Sequence, residues 1–472
     1  MPITQIEEMK ESLTSAESAA ALVRRQRTYF QTGATLPYEF RVQQLRQLKR
    51  MFKENEEAIL QALATDLGKP AFEAFASEIA FVYEEINFNL KYLKRWMRPE
   101  RVGTPLAIQP ARSEIRKEPL GVTFIIGAWN YPVQLIGAPL IGAISAGNTA
   151  VLKPSELAIA SARLLEELVP RYFGPEYVTV ANGGVETTTH LLDQKFDLIF
   201  FTGSTTVGRI IAQAAARHLT PAILELGGKS PAIVDSRANM AFTARRIAWG
   251  KFFNAGQTCV APDYVLVPRE KKQELVERID QAVRDMFGAH PERSPDYCRI
   301  INQRHFDRLE RYLDQGDRLF GGQTNRDELY MAPTAMENVS DADDIMQNEI
   351  FGPILPIIEY NGDLEEVVTT VNARPNPLAL YIFSESKKNA DFLLDRLPFG
   401  GGCVNNAMVH LANPHLPFGG RGDSGTGNYH GEYGFDAFSH KKSVVRTPTW
   451  LDPALLYAPY GDRLKLLKML FR

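Results

Sequence analysis

The sequence contains few cysteines and little net charge. Its three cysteines, Cys259, Cys298 and Cys403, are too few among 472 residues for a disulfide framework, and their spacing does not match a zinc site. We therefore expect a reducing compartment, in which a cysteine stays available as a nucleophile. The formal net charge is −3, and no block of arginines is interleaved with aromatic residues. The chain is therefore not expected to bind nucleic acid.

Membrane-spanning runs, a secretion signal and a metal-binding pattern are also missing. The most apolar stretch, Val133 to Ile144, is interrupted by glycine and proline and is shorter than a membrane span. The N-terminus has neither the basic region nor the apolar core of a signal peptide, so we expect a cytoplasmic location. The eight histidines show no clustered spacing, and no metal site is predicted.

The order of periodic patterns predicts helices first and then two α/β units. Residues 1 to about 97 have helical patterns, and Gly68 and Pro70 are expected to end one of the helices. Proline and glycine interrupt the region 98–118, which indicates an excursion such as a hairpin. From Gly121 onward short apolar strands alternate with helices, and a second such set begins near Ile223. This alternation predicts an α/β fold with two domains, each an open parallel sheet with helices on both faces.

One cysteine lies in a sequence context that suits catalysis. Cys259 lies between an Ala-Gly turn and an Ala-Pro pair, directly after an apolar helical run. A buried structural cysteine is the simpler interpretation of this residue alone. Two other stretches, however, supply a carboxylate at Glu225 and a side-chain amide at Asn130, on a turn after an apolar strand. A thiol, a carboxylate and an amide donor are the nucleophile, the base and the oxyanion stabiliser of covalent catalysis on a carbonyl.

A phosphate-binding turn is predicted although no Gly-x-Gly-x-x-Gly fingerprint follows a strand. The segment 203–208 comes after the apolar strand 198–201 and opens a helix, which is a suitable place for a pyrophosphate. Its residues are Gly203, Ser204, Thr205, Thr206, Val207 and Gly208. The alternative is that Ser204 only caps the helix. Lys153 and Glu156 follow another strand, and a solvated pair of charges is the simpler interpretation of these two residues.

Taken together, these stretches resemble the aldehyde dehydrogenase superfamily and, within it, the class 3 branch that acts on fatty and aromatic aldehydes. The matches occur in family order and cover roughly residues 66–439. Besides the Glu225 and Cys259 stretches they are Pro119-Leu120-Gly121 running to Trp129-Asn130-Tyr131-Pro132, Leu152-Lys153-Pro154-Ser155-Glu156, residues 201–208, Asn348-Glu349-Ile350-Phe351-Gly352-Pro353, and Leu416-Pro417-Phe418-Gly419-Gly420 leading into Ser424-Gly425. Each match is weak by itself, whereas the ordered set is specific.

The resemblance implies oxidation of aldehydes to carboxylic acids. Cys259 would attack the carbonyl to form a thiohemiacetal, and the Asn130 amide with the Cys259 backbone N–H would hold the oxyanion. Glu225 would then activate the water that hydrolyses the thioester. A CoA-acylating aldehyde dehydrogenase is an alternative, although such relatives commonly lack the residue that matches Glu225. A cysteine hydrolase is another alternative, and it would need a histidine near Cys259.

The resemblance also implies a nicotinamide cofactor. Trp129, residues 203–208, Glu349 and Phe351 would contact it, with Glu349 on the nicotinamide ribose and Ser204 on the pyrophosphate. Lys153 and Glu156 would hold the adenine ribose hydroxyls. A carboxylate at position 156 favours NAD, because it repels the 2′-phosphate of NADP. Class 3 members with this glutamate also accept NADP.

The implied fold consists of a cofactor domain, a catalytic domain and a small oligomerisation excursion, in a homodimer. The predicted ranges are 1–224 for the cofactor domain with 98–118 in the excursion, 225–404 for the catalytic domain, 405–448 for the return to the cofactor and oligomerisation region, and 449–472 for a tail helix. In the tail, Lys465, Lys468 and Arg472 would share one face of a helix that is otherwise apolar. Packing on its own domain or on a partner, a position at the substrate entrance, and contact with a membrane all stay open for this tail.

Overall fold

The computed structural model describes residues 16–452 and 457–470. The helices are α1 (Ala16–Gln31), α2 (Tyr38–Glu54), α3 (Glu56–Leu67), α4 (Ala71–Ala74), α5 (Phe81–Trp96), α6 (Gln134–Ala146), α7 (Ile159–Tyr172), α8 (Val185–Leu192), α9 (Thr205–Arg217), α10 (Met240–Phe252), α11 (Lys272–Phe287), α12 (Gln303–Tyr312), α13 (Asp344–Gln347), α14 (Leu364–Asn372), α15 (Lys387–Arg396), α16 (Gly431–Ala437) and α17 (Arg463–Leu470).

Within the described residues, the strands form three main sheets and one two-stranded ribbon. They are β1 (Glu100–Val102), β2 (Arg112–Pro119), β3 (Val122–Ile126), β4 (Thr149–Lys153), β5 (Val178–Val180), β6 (Leu198–Thr202), β7 (Ala222–Glu225), β8 (Pro231–Val234), β9 (Tyr264–Pro268), β10 (Asp317–Phe320), β11 (Thr324–Asn325), β12 (Tyr330–Met331), β13 (Thr334–Glu337), β14 (Ile354–Tyr360), β15 (Ala379–Phe383), β16 (Gly401–Val404), β17 (Gly425–Thr426) and β18 (Ser439–Arg446).

The described N-terminal region is helical, as predicted. Helix α3 ends at Leu67, and Gly68 takes a left-handed conformation with φ of 58°. This confirms the predicted stop, because glycine adopts that conformation without a Cβ penalty. A short π-helical segment, Phe75–Ala80, joins α4 to α5. Residues 1–15, including the N-terminus examined for a signal peptide, lie outside the described residues.

The first large sheet has six strands in the order β17-β7-β6-β3-β4-β5. The strands β3 to β7 are parallel, and all residues of β3, β4 and β6 are buried. The chain moves outward from β3 to β4 and β5, and then returns to the other side of β3 at β6. A cleft therefore opens between β3 and β6 at their carboxyl ends, which is where ligands bind in such sheets.

The second large sheet has seven strands in the order β10-β13-β14-β9-β8-β15-β16. All of its pairs are parallel except β10 with β13. The α/β class with two open sheets is therefore confirmed. Each sheet also has one antiparallel edge strand, β10 in this sheet and β17 in the first. Such short edge strands carry too little periodicity to be predicted individually.

The sequence places Glu225 near the start of the second set, whereas in the structure it is the last residue of β7 in the first sheet. After a turn at residues 423–424, Gly425 and Thr426 form β17, which pairs with β7 in antiparallel register. This pairing could not be read from the sequence because it joins segments about 200 residues apart.

The excursion forms a separate three-stranded sheet in the order β1-β2-β18. Strands β1 and β2 pair as the predicted hairpin, and β18 pairs with β2 along its whole length. The region 405–448 thus returns first to the six-stranded sheet and then to the excursion. The domain boundaries themselves stay predictions.

Among the described residues, no helix is long and apolar enough to cross a membrane. The tail helix α17 has exposed apolar side chains at Leu464, Leu467 and Met469. These exposures contradict packing of those side chains on the chain's own domain. Arg472 of the predicted basic face lies outside the described residues.

Candidate active site

Three segments that are distant in the sequence meet at Cys259. They are the turn after β3 with Trp129 and Asn130, the end of β7 with Glu225, and the loop between α10 and β9 with Cys259 itself. Asn130 and Glu225 are buried, and Cys259 is partly buried. The structure therefore brings together the three residues that the sequence singled out for catalysis.

The Cys259 loop has an unusual backbone. Asn254, Ala255 and Gly256 have φ values of 53°, 50° and 73°, so three successive residues are left-handed. For alanine this conformation is strained, and such strain persists only where surrounding contacts impose it. A Cβ at Gly256 would lie 2.2 Å from the carbonyl oxygen of Gly352, so only glycine fits there. The Ala-Gly turn seen in the sequence is thus a constrained turn.

Hydrogen bonds join this loop to the Asn130 turn. The side-chain amide of Asn130 donates to the carbonyl of Gln257 at 3.1 Å, and that of Asn254 donates to the carbonyl of Asn130 at 3.0 Å. The hydroxyls of Tyr131 and Thr258 are 2.6 Å apart. Because the Asn130 amide has two hydrogens and the Gln257 carbonyl takes one, the other is available to a ligand.

Two cavities share the walls around Cys259. A polar cavity of about 530 Å³ and an apolar cavity of about 310 Å³ have Thr202, Glu225, Leu226 and Cys259 in common. Both carboxylate oxygens of Glu225 and the Thr202 hydroxyl are buried without a hydrogen-bond partner in the described structure. Buried polar atoms without partners are rare in proteins, so a bound water or ligand is expected at this junction.

The electrostatics of the junction favour neutral side chains. Burial raises the pKa of Glu225 well above its usual value. Burial, followed by Glu349 and Glu225, also raises the pKa of the Cys259 thiol, while the backbone N–H groups of Cys259 and Val260 act in the opposite direction. Burial and then Asp263 raise the pKa of Glu349 to about 8. A thiol in this setting needs a base to remove its proton.

The polar cavity contains most of the predicted cofactor residues. Its lining includes Trp129, Gly203, Ser204, Thr205, Glu349 and Phe351. The ring centroids of Trp129 and Phe351 are 5.2 Å apart at a steep angle. Ser204 also caps α9, because its hydroxyl accepts the N–H of Val207 at 3.4 Å. The capping interpretation is therefore correct, and it leaves the N-terminus of α9 facing the cavity.

The other predicted cofactor residues lie outside this lining. They are Lys153, Glu156, Thr206, Val207 and Gly208. The amine of Lys153 is 2.6 Å from the Glu156 carboxylate, so these residues form an ion pair. Lys153 is buried and Glu156 is partly exposed. Because parallel strands present their carboxyl ends at one edge, this pair lies at the same edge of the sheet as Ser204.

Helix α12 contributes residues that sequence reasoning missed. His305, Arg308, Arg311 and Tyr312 line the polar cavity. Their spacing along one helix was the available signal, but a solvated face has the same pattern. Two guanidinium groups in the cavity that also contains the α9 N-terminus suit a ligand with phosphate groups.

The apolar cavity is lined mainly by aromatic and aliphatic side chains, which the sequence did not assemble. They include Phe72, Phe81, Tyr131, Leu135, Trp249, Phe253, Met408, Leu411, Phe418 and Tyr429. The stretch 409–415 contributes Val409, Leu411 and Ala412 to this lining. Its last residue, His415, instead packs against the rings of Phe88 and Tyr92.

In the described structure, the sulfur of Cys259 makes no hydrogen bond with a histidine. His305 packs against Trp129, with ring centroids 4.9 Å apart. Burial and then Arg308 and Arg304 lower the pKa of His305 to about 4, which makes it a weak base. The arrangement required of a cysteine hydrolase is therefore missing from the described residues.

The residues at the polar cavity fit a nicotinamide dinucleotide. The helix N-terminus and the arginines suit a pyrophosphate, the Trp129 and Phe351 rings offer flat apolar surfaces, and unpartnered Thr202 and Glu225 atoms lie beside Cys259. When bound, such a cofactor supplies a hydride acceptor.

Comparison with known proteins identifies the family of this chain. The model of the aldehyde dehydrogenase family matches residues 1–444. The chain is 46% identical over 448 residues to 4,4'-diaponeurosporen-aldehyde dehydrogenase of Staphylococcus aureus, covering 94% of this chain and 97% of that protein. It is 47% identical to aldehyde dehydrogenase family 3 member H1 of Arabidopsis thaliana, covering 98% and 96%. It is 45% identical to the dimeric NADP-preferring aldehyde dehydrogenase of Mus musculus, covering 90% and 94%.

Solved structures agree in fold. Substrate-bound AldH of Staphylococcus aureus superposes with a TM-score of 0.94 at 45% identity, covering 96% of this chain and 99% of that chain. Mycobacterium tuberculosis aldehyde dehydrogenase complexed with NAD+ has a TM-score of 0.82 at 26% identity, covering 93% and 92%. Methanocaldococcus jannaschii GapN complexed with NADP has a TM-score of 0.82 at 25% identity, covering 92% and 95%.

The expected activity and cofactor class are therefore confirmed: the protein is an oxidoreductase that acts on aldehydes with NAD or NADP. By its fold, its site and its relatives, which include family 3 members, this chain belongs to the aldehyde dehydrogenase family.

Proposed function

We propose that the enzyme oxidises medium- to long-chain aliphatic or aromatic aldehydes through a covalent intermediate on Cys259. The observation that carries this proposal is the meeting of a polar and an apolar cavity at Cys259 and Glu225. The apolar cavity would hold a hydrocarbon chain and exclude water from it. The family 3 relatives and the relative that is named for a carotenoid aldehyde support this substrate class.

In the first step the Cys259 sulfur attacks the carbonyl carbon. The thiol proton is released to solvent as the carbon–sulfur bond forms, so the unpartnered Glu225 carboxyl group at the same junction stays free for the later hydrolysis. A hydride acceptor, which a bound cofactor would supply, is needed to convert the resulting thiohemiacetal into the acyl-enzyme. The free hydrogen of the Asn130 amide and the Cys259 backbone N–H would stabilise the charge that develops on the carbonyl oxygen.

In the last step Glu225 takes a proton from the water that attacks the acyl carbon, and its raised pKa makes its ionised form a stronger base than an ordinary carboxylate. The carbon–sulfur bond then breaks and the acid leaves. The proton on Glu225 passes to the sulfur, which restores the Cys259 thiol. Because Glu225 can activate water, hydrolysis of the acyl-enzyme is favoured over transfer of the acyl group to CoA. A cytoplasmic location is part of the proposal, because all three cysteines are free and the nucleophile must stay reduced.

A homodimer is also part of the proposal. Strand β16 ends the seven-stranded sheet and β18 ends the three-stranded sheet, so each leaves one edge unpaired in the described chain. Val404 on β16 and Val445 on β18 are both exposed. Exposed sheet edges with apolar residues favour pairing with another chain, and a symmetric dimer would pair each β18 with the partner's β16.

Membrane contact by the tail helix is the third part of the proposal. Leu464, Leu467 and Met469 are between 46% and 72% exposed, and Lys465 and Lys468 lie on the same short helix. Apolar residues beside basic ones suit an interface with anionic lipid headgroups. A tail at a membrane surface would bring long aldehydes, which partition into lipid, close to the apolar cavity.

Changes at Cys259 and Glu225 test the mechanism. With hexanal and NAD, and without CoA, Cys259→Ala should abolish NADH formation, whereas the matched change Cys403→Ala should leave it within about twofold. Glu225→Gln should form NADH once and then stall as an acyl-enzyme, lowering steady turnover by roughly 10²–10⁴-fold because water lacks its base. Stopped-flow fluorescence and mass spectrometry measure both. Steady turnover near the wild-type rate in Glu225→Gln would remove the base assignment.

The pH profile of deacylation adds a second measurement of this role. The pKa of Glu225 is raised, so its proton-accepting form becomes more abundant as the pH rises. Deacylation of the wild-type enzyme should therefore accelerate with pH, and Glu225→Gln should lose that dependence. An unchanged profile in the variant would contradict the assignment.

Neutralising the Glu156 carboxylate tests whether this residue determines the preference for NAD over NADP. Glu156→Gln should narrow the ratio of kcat/KM for NAD to that for NADP by about tenfold, because it relieves roughly 1.4 kcal/mol of repulsion of the 2′-phosphate. The exposed Glu167 on α7 provides a control, since Glu167→Gln should leave the ratio unchanged. If Glu156→Gln also leaves the ratio unchanged, another residue must distinguish the 2′-hydroxyl of NAD from the 2′-phosphate of NADP.

A substitution on the exposed edge of β18 tests whether this edge forms the proposed dimer. Val445→Asp should shift the protein toward a monomer in light scattering coupled to gel filtration, because a charge would be buried at the paired edges. Leu219→Asp changes another highly exposed leucine on a different surface and should leave the mass unchanged. A monomeric wild-type protein, or a Val445→Asp dimer of unchanged stability, would contradict this pairing.

The tail is tested by removing it. Ending the chain at Tyr460 should lower kcat/KM for dodecanal much more than for propanal. The triple change of Leu464, Leu467 and Met469 to Gln should reduce co-sedimentation with vesicles that contain phosphatidylglycerol, whereas Leu219→Gln should not. Equal losses for both aldehydes, with no vesicle binding by the intact chain, would leave only packing against a partner subunit as the role of the tail.

A further inference from the structure

Lys69 and Glu78 form a completely buried ion pair beside the active site. The Lys69 amine and a Glu78 carboxylate oxygen are 2.7 Å apart, and neither side chain has any exposed surface. The pair lies outside both cavities, so it contacts neither the proposed substrate nor the cofactor. Sequence patterns indicated only that a helix ends at this point.

Glu78 holds the start of α6. Its second oxygen accepts the backbone N–H of Val133 at 3.0 Å and that of Gln134 at 3.1 Å. The first N–H groups of a helix have no partner within the helix, and a carboxylate is favoured there by the helix dipole. Glu78 therefore determines where the Asn130 turn ends and the helix begins.

Lys69 holds the turn itself. Its amine donates to the backbone carbonyl of Asn130 at 3.1 Å and lies 4.2 Å from the centre of the Tyr131 ring. The carbonyl of Asn130 also accepts the side-chain amide of Asn254. Asn130 is thus held from one side by the ion pair and from the other by the Cys259 loop.

A third residue of the same segment reaches the Cys259 loop. Glu73 accepts the backbone N–H of Asn254 at 2.8 Å and the thiol of Cys298 at 3.3 Å. Burial raises the pKa of Glu73 to about 7, and the nearby Lys69 amine acts in the opposite direction. Asn254 is the first of the three left-handed residues, so Glu73 contacts the loop where its backbone is most constrained.

The local fold explains how one short segment makes these contacts. Gly68 ends α3 in a left-handed conformation, and Pro70 then starts α4. The π-helical turn that follows has a wider spacing than an α-helix, and such turns are frequent at functional sites. Lys69, Glu73 and Glu78 consequently all reach the two backbone segments that carry Asn130 and Cys259.

A buried ion pair is poor evidence of a stabilising role. Desolvation of two charges commonly offsets their attraction, and apolar residues of similar size are often as stable. An ion pair fixes direction and distance better than an apolar contact does, because each hydrogen bond has a preferred geometry. An oxyanion donor that is displaced by a fraction of an ångström loses much of its effect in the transition state.

We propose that Lys69 and Glu78 are positioning residues that hold the Asn130 amide toward the carbonyl oxygen of a substrate bound to Cys259. This inference rests on the proposed function. The pair acts through the backbone of residues 130–134 and touches no reacting atom.

The test is the double variant Lys69→Met/Glu78→Gln, which removes both charges of the ion pair together. The first-turnover rate of NADH formation with hexanal should fall by about tenfold or more. The KM for hexanal and the Kd for NAD should stay within about twofold, since the lining of both cavities is unchanged. An undiminished first-turnover rate in the folded double variant would overturn the proposal.

Asn130→Ala provides the decisive comparison. If the ion pair acts through the Asn130 amide, adding Lys69→Met/Glu78→Gln to Asn130→Ala should lower the first-turnover rate no further. A loss that multiplies with that of Asn130→Ala would show that the pair acts elsewhere, and the proposal would be wrong.

Two further variants distinguish a positioning effect on the Asn130 amide from a loss of stability. Leu63→Ala truncates a buried side chain on the neighbouring helix α3 and should lower the melting temperature with little change in first-turnover rate. If the double variant does not fold, Glu78→Gln alone decides, because Lys69 keeps Glu73 as a charged neighbour. It should show the same loss of rate and the same lack of further loss with Asn130→Ala. A wild-type enzyme inactive with aldehydes would instead refute the proposed function.

Discussion

The active site depends on the hydrogen bonds that join the Asn130 turn to the Cys259 loop. Both segments are short, irregular and buried, so neither could keep its conformation alone. The loop has three successive left-handed residues, and the turn has a carbonyl that needs donors. Each segment supplies what the other lacks: Asn254 donates to Asn130, and Asn130 donates to Gln257. The position of Cys259 relative to the Asn130 amide follows from this mutual dependence.

Burial determines the chemistry available at this point. Cys259, Glu225 and Glu349 all have raised pKa values, because the protein around them disfavours charge. A neutral thiol is protected from unproductive reactions, and a carboxylate with a raised pKa is a better base when it does ionise. The buried Lys69 and Glu78 are tolerated because they pair with each other and hydrogen-bond to the backbone of residues 130–134. The site thus combines an unpartnered Glu225 carboxyl group with supporting groups that are hydrogen-bonded.

The two cavities differ because they are built from different elements. The polar cavity lies at the carboxyl ends of β3 and β6, where the switch in strand order opens a cleft and the N-terminus of α9 faces it. The apolar cavity lies among α4, the π-helical turn and the segments around residues 408–412 and 418–430. The cofactor would consequently approach Cys259 through the polar cavity, and the aldehyde would approach it through the apolar one.

The sequence alone was sufficient for the class of fold and for the choice of candidate catalytic residues. Alternating strands and helices are local patterns, and Gly68 ends a helix through its own backbone preference. Cys259, Glu225 and Asn130 were identified because their stretches match an ordered set of family motifs, which needs no knowledge of the contacts between them.

Other features depended on tertiary structure. Examples are Glu225 on the first sheet, β17 on the edge beside it, the arginines of α12 in the polar cavity and the aromatic lining of the apolar one. A solvated helical face and a cavity-lining one have the same local pattern, and only the packing of distant segments decides between them. The roles of Lys69 and Glu78 belong to this second group, since a buried ion pair leaves no local pattern beyond two charged residues in a helical region.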